Sequence, residues 1–249
     1  MTEPISLSLA FQNRPGRFRL LKKGVGRTGW TVQDLRLLEA GCSVGDASSM
    51  MSGEMGFDVT AFDHEPALVG EAVRLHGTGS RLHFDVADAA DLPYKDASFD
   101  GLYCEAAFSP MTDKRGALAE YNRVLKPGSL ILMNDFVIRH DADDQVREEL
   151  VHIPCFAGVQ TKECYEELFG QAGFAAEGFY EEYGELLGVT AWLCRVYKVK
   201  PNEIGGYLSR YFHIGSPGAV CGTAGSASKR GVFFKKTDLS YCQMVFRKL

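Results

Sequence analysis

Leu37-Leu38-Glu39-Ala40-Gly41-Cys42-Ser43-Val44-Gly45-Asp46-Ala47-Ser48 is the stretch whose reading decides the fold. An apolar run ends on an acid, a glycine-containing turn follows, and small helix-compatible residues come next. Residues 35–39 therefore read as a first strand and residues 47–54 as a helix. Working outward, Phe57–Phe62 is a second strand closing on Asp63, and a helix over 66–75 follows. A third strand near Arg81–Phe84 leads to the loop Asp88-Ala89-Ala90-Asp91-Leu92-Pro93. Phe99–Cys104 is a fourth strand, Lys114–Leu125 an amphipathic helix stopped by Lys126-Pro127-Gly128, and Leu130–Asn134 a fifth strand. Strands alternating with helices argue for right-handed β-α-β units and a parallel sheet.

Beyond residue 140 the signals change. Gln145–Leu150 and Thr161–Ala172 read as helices, the second ended by Gly173, and Phe174–Glu182 reads as a sixth strand. Glu185–Lys198 is strongly apolar, and its periodicity fits helix and strand equally. Six glycines over 199–230 suggest a loop, and Val232–Arg247 suggests a closing strand pair. There is no repeat and no low-complexity linker. The chain reads as a single domain over 1–249, with a core over 12–140 and a C-terminal elaboration over 141–249.

The composition narrows the partners. The chain has 249 residues, 27 basic against 32 acidic, a formal charge of −5, and 45% hydrophobic residues. An acidic balance disfavours a general grip on a phosphate backbone, so nucleic acid is not an expected partner. No apolar run approaches the ~20 residues a membrane span needs. The first residues lack the basic and apolar regions of a signal peptide, so a cytoplasmic location is expected. Seven scattered cysteines, an odd number without a secretion signal, do not read as a disulfide framework, and with no Cys-x-x-Cys pair the usual zinc-ribbon and thioredoxin spacings are absent, so no metal ligands are assigned. The oligomeric state is left open.

The chemistry concentrates at the strand ends. In an open α/β sheet, ligands bind outside the carboxyl ends of the strands, where strand order reverses. Gly41 and Gly45 would let the backbone approach a ligand closely. Asp63 lies at about the ~20-residue spacing from the turn expected of a carboxylate that accepts from ribose hydroxyls. A dinucleotide fold would place Gly-x-Gly-x-x-Gly here to cradle pyrophosphate, whereas this turn sets Asp46 at the helix start, which repels phosphate.

On these residues the sequence resembles the class I S-adenosylmethionine-dependent methyltransferases. LLEAGCSVGDAS (37–48) is similar to their first glycine motif, VTAFDHEP (59–66) to the second-strand acid, and DVADAADLPYKDASFDGLYCEAAF (85–108) to the acidic loop and fourth strand. ALAEYNRVLKPGSLILMNDF (117–136) resembles the helix, Lys-Pro-Gly turn and fifth strand, and Arg14-Pro15-Gly16 an element that some members place over the cofactor. The resemblance covers about residues 12–136. It implies a Rossmann-like α/β sheet, mostly parallel with an antiparallel C-terminal strand, and helices on both faces. It also implies S-adenosylmethionine as cofactor and a small-molecule methyl acceptor.

By resemblance, Glu39 orders the turn and reaches the methionine amino group, while Gly41, Ser43 and Gly45 line the methionine and ribose portion. Ser43 departs from the family by replacing the middle glycine, and its Cβ narrows the turn. Asp63 would hold the ribose hydroxyls with His64 beside it, Asp88 would accept from the adenine amino group, and the Ala89 amide would donate to the ring. Cys104 would flank the sulfonium.

The acceptor is less legible. No Asn-Pro-Pro-Tyr-like tetrapeptide follows the fourth strand, where Cys104-Glu105-Ala106-Ala107 stands instead, which lowers nucleobase amino methylation. Asp135, Glu105, His140, His152 and His213 are candidate proton acceptors. Phe179, Tyr180, Tyr183 and Trp192 are candidates for an aromatic wall. A second resemblance, carried by HIPCFAGVQTKE (152–163), Val196–Val199 and Ala219-Val220-Cys221-Gly222, is to arsenite methyltransferases, whose thiolates hold the soft metalloid. It implies Cys155 and Cys221 as acceptor ligands, although the family's cysteine near Val199–Tyr207 is missing. A small organic acceptor is the leading expectation; a thiophilic metalloid and a non-catalytic cofactor-binding protein are the alternatives.

Overall fold

The computed structural model describes residues 16–31, 34–141, 158–198, 200 and 239–249. Strand β1 (Arg36–Ala40) is followed by α2 (Asp46–Gly53), β2 (Asp58–Asp63), α3 (Pro66–His76), β3 (Leu82–Val86), β4 (Phe99–Glu105), α4 (Lys114–Val124) and β5 (Leu125–Ile138). Helix α1 (Arg17–Thr28) precedes them, and α5 (Lys162–Gln171), β6 (Phe174–Glu181), α6 (Tyr183–Tyr197) and β7 (Leu239–Lys248) complete the described chain. The sheet order is β3-β2-β1-β4-β5-β7-β6. β1 to β5 pair in parallel, and β7 runs antiparallel between β5 and β6. This is the expected mostly parallel sheet with an antiparallel C-terminal strand.

The central strands are continuous apolar runs because helices cover both faces of the sheet. On one face Leu38, Leu102, Ile131, Met133 and Phe246 meet Tyr121 of α4 and Phe169 of α5. The Phe169 and Phe246 rings stack at 3.8 Å. On the other face Leu37, Val59, Tyr103 and Leu132 meet Leu21 of α1 and Met50 and Met51 of α2. Side-chain caps explain several helix starts: Asp113 accepts from the Gly116 amide at 2.8 Å, and Thr161 accepts from the Cys164 amide at 3.3 Å.

Helix α1 has no counterpart in the sequence reading, and β5 departs from it. Residues 125–138 form one long strand that includes Lys126-Pro127-Gly128, with a register irregularity against β4 between Phe99 and Gly101. The apolar stretch whose periodicity fits helix and strand equally is helical, within Tyr183–Tyr197. The tail contributes strand β7 to the described residues, and residues 232–238 of the expected strand pair lie outside them. The expected helix over 145–150 and loop over 201–230 lie outside the described residues.

Candidate active site

Strand order reverses between β1 and β4, since β1 leads to β2 on one side and pairs with β4 on the other. The loops after these two strands meet there. Gly41 takes φ 73°, and a Cβ on it would lie 2.4 Å from the Cβ of Ala107, in the loop after β4. Gly45 takes φ 79°, and its Cβ would lie 2.7 Å from the Phe84 ring and 3.0 Å from Ala72. Both glycines are thus demanded by backbone conformation and close packing within the protein, a different reason from the ligand approach expected of them.

Ser43 and Ala106 are also in the left-handed region, at φ 52° and 51°. For residues with a Cβ this costs about 1–2 kcal/mol each. These are two of the five non-glycine residues with positive φ among the described residues, and they sit in the two loops flanking the switch point. Positive φ is also why a glycine suits position 43. The Ser43 hydroxyl is buried without a hydrogen-bond partner, a donor left available to a ligand in the turn.

The acids surround this turn. Glu39 is 3% exposed and accepts a hydrogen bond from the Ser48 hydroxyl at the start of α2. Asp63, 6% exposed, accepts from the Ser43 amide at 2.9 Å and from the Glu65 amide at 3.1 Å. A carboxylate has about four lone-pair sites, so these two bonds aim Asp63 without exhausting it. His64 is exposed at the rim, with Nδ1 3.4 Å from Asp63 Oδ1. Further out, Asp88 accepts from the Ala90 amide at 2.9 Å in a turn that holds Ala89 half-buried. The Tyr94 hydroxyl donates to Asp85 at 3.0 Å, an aromatic contribution to this edge that the sequence reading missed. Neither residue stands out locally; β3 and the loop after it bring them together.

Cys42, Cys104 and Cys242 are poor thiolates. Burial, reinforced by Glu39 and Asp63, pushes the Cys42 thiol far up. Burial and the charge of Asp135 do the same to Cys104, at the end of β4. Cys242 on β7 is pushed up to about 12 by burial and Glu181. Cys155 and Cys221 lie outside the described residues, as do His152 and His213. Among the described residues, no group of three or more metal-ligating side chains forms a metal site.

Asp135 is placed differently from Glu105. Glu105 is half-buried at the tip of β4, with the Asn134 amide 3.5 Å away. Asp135 is fully buried, and both its oxygens accept hydrogen bonds, from Ser109 and the Phe136 amide. His140 is exposed just past β5.

This sheet, with an acid-flanked turn at its switch point, defines the class I methyltransferase fold. Residues 38–133 match the family described as "Methyltransferase domain". It is 35% identical over 127 residues to the O-methyltransferase cnsE of Penicillium expansum, covering 50% of this chain and 46% of that one. The chain thus spans about half the length of that curated relative. Phosphoethanolamine N-methyltransferase 2 of Haemonchus contortus, solved with S-adenosylhomocysteine and phosphomonomethylethanolamine, superposes at TM-score 0.71 with 18% identity, covering 94% of this chain and 53% of that one. The [4+2]-cyclase SpnF superposes at TM-score 0.68 with 20% identity, covering 92% and 80%. These two likenesses are of fold. Among the described residues, no helix is long and apolar enough to cross a membrane.

Proposed function

We propose that this protein transfers a methyl group from S-adenosylmethionine to a hydroxyl of a small organic acceptor, in the cytoplasm. The observation that carries the reading is the β1/β4 switch point, where Asp63 is aimed by two amides beside a turn that holds the unpartnered Ser43 hydroxyl. A carboxylate and a hydroxyl so held fit a ligand rich in hydroxyl and amino groups. The relative named as an O-methyltransferase points to oxygen as the acceptor atom.

When bound, the cofactor supplies an electrophilic methyl group. In this reading Glu39, Gly41, Ser43 and Gly45 hold its amino-acid and ribose end, Asp63 accepts from the ribose hydroxyls with His64 at the rim, and Asp88 with the Ala89 amide pairs with the adenine. Cys104, kept neutral by burial, serves as an apolar wall. Residues 12–140 form the cofactor-binding core, and 141–249 shape the acceptor side. Methylation of a hydroxyl releases one proton, and Glu105 at the tip of β4 is better placed to take it than the enclosed Asp135. In-line transfer otherwise asks the protein to align donor and acceptor and exclude water. A soft metalloid would need thiolates, and the described cysteines near the site are thiols held neutral, which favours oxygen. The five described cysteines are free, as a reducing compartment allows.

The test is transfer of a labelled methyl group from S-adenosylmethionine to a panel of phenols, aliphatic alcohols and quinols, with arsenite as a separate arm. Label in a hydroxyl acceptor is the expected result. Label only in the arsenite arm moves the acceptor to a thiophilic atom. Saturable cofactor binding with no transfer in any arm favours a non-catalytic cofactor-binding protein.

A further inference from the structure

The loop joining β4 to α4 is held by an uncommon arrangement. The Ser109 amide donates to Asp135 Oδ2 at 2.8 Å, the Ser109 hydroxyl donates to Oδ1 at 2.7 Å, and the Phe136 amide donates to Oδ1 at 2.7 Å. Ser109 and Asp135 are both 0% exposed. The Lys114 ammonium closes the loop from the other side, donating to the carbonyls of Ser109 and Met111, each at 2.8 Å. Gly158, at φ 68°, packs so closely that a Cβ on it would lie 2.6 Å from the Ser109 carbonyl. The near end of the same loop touches the candidate cofactor turn. Ala106, in its strained conformation, donates to the Asn134 carbonyl at 2.7 Å, and Ala107 fills the space beside Gly41.

We propose that Ser109 and Asp135 form a latch that seats the β4–α4 loop against the Gly41 turn, making Asp135 a positioning residue for methyl transfer. What the loop faces rests on the methyltransferase reading; the latch itself rests on these contacts. Three donors converge on two oxygens, and an ionised carboxylate is the side chain that accepts them all without presenting a donor of its own. Protonation would turn one oxygen into a donor and leave the buried Ser109 amide or hydroxyl unsatisfied. The groups facing the carboxylate are Lys114 from α4, Cys104 from β4, Tyr165 from α5 and, opposite in register, Cys242 from β7. Lys114 and the three donors favour the charge, yet burial outweighs them and pushes the Asp135 carboxyl up to about 6. The latch is therefore set to open in mild acid.

The test is amide hydrogen exchange of peptides spanning 106–112 in the full chain, corrected for intrinsic rates, from pH 5 to 8. The wild type, Ser109→Ala, Ser109→Thr and Asp135→Asn are compared, and S-adenosylhomocysteine affinity is measured on the same samples. At pH 7.5 Ser109→Ala should exchange about tenfold faster in this loop, the effect of losing one hydrogen bond to a charged group. Ser109→Thr, which keeps the hydroxyl, should restore protection. Wild-type exchange should rise as pH falls through about 6, and Asp135→Asn should be fast and flat with pH. Protection in Ser109→Ala equal to wild type, or a pH response that survives in Asp135→Asn, overturns the latch. If Asp135→Asn does not fold, the serine pair decides alone. A loop that responds as expected in a protein that binds no S-adenosylhomocysteine refutes the methyltransferase reading and leaves the latch standing; the opposite pattern refutes the latch alone.

Discussion

Asp63 ends β2 with its carboxylate already engaged by two backbone amides, so its orientation is set before any ligand arrives. Such pre-organisation reduces the ordering that binding requires. Asp63→Ala should weaken S-adenosylmethionine binding by on the order of 1–3 kcal/mol, the loss of a charged hydrogen-bonding group. Calorimetry checks this, and an unchanged dissociation constant would remove Asp63 from the site. Position 63 was legible because an acid closing the second strand, at a fixed distance from a glycine turn, is a local pattern. The roles of Gly41 and Gly45 were only half legible: the sequence shows two glycines in a turn, but the atoms that exclude a Cβ belong to Ala107, Phe84 and Ala72. Ser109 carried no signal, because its partner Asp135 lies on the next strand, across α4.

At the scale of elements, α1 is the part that sequence reading did not find. Its stretch is amphipathic, but Gly24 and Gly26 in its interior lower its helix propensity, and packing stabilises it through Leu20 and Leu21, 1% and 0% exposed. Gly24 lets it come close, since a Cβ there would lie 2.6 Å from Leu132 and 2.7 Å from the Gln243 amide nitrogen. A buried polar chain completes the dock. Arg27 donates to Gln243, and Gln243 donates to Asn134 at 2.8 Å and to the Leu20 carbonyl at 3.0 Å. Asn134 in turn donates to the Tyr103 hydroxyl at 3.0 Å. Gly24→Ala should destabilise the fold by about 1–3 kcal/mol through overpacking. Urea unfolding measures this, and a midpoint within error of the wild type would show that α1 docks more loosely than its contacts imply. The apolar stretch that became α6 was ambiguous for a related reason: hydrophobicity without a clear period does not choose between helix and strand.

At the scale of the whole molecule, Asp135 links stability to pH. Its carboxyl is raised from 3.8 to about 6 in the folded state. Between these values the native chain holds a proton that the unfolded chain has released, so this group's contribution is full below pH 3.8 and is lost as pH rises through about 6. The unfolding free energy of the wild type relative to Asp135→Asn should therefore decline with rising pH across that window, by up to about 1.4 kcal/mol per pH unit, and level off above it. Paired urea titrations from pH 4.5 to 8 check the sign; a gap that widens with pH would contradict it. The ionised latch is thus kept at a cost to global stability, as residues that serve a site often are.

The sequence by itself determined the alternation of strands and helices over 35–138, the acids at the strand ends and the class of fold, because β-α-β units are written in short-range periodicity and turn chemistry. It also showed that the tail holds extended structure. Only the tertiary structure decided that β7 lies between β5 and β6, that α1 covers one face, and that Ala107 and Ser109 bridge the Gly41 turn and Asp135. The physical reason is sequence separation. Contacts such as Gln243 with Leu20, 223 residues apart, leave no periodic trace in either segment and exist only once the sheet has brought them together.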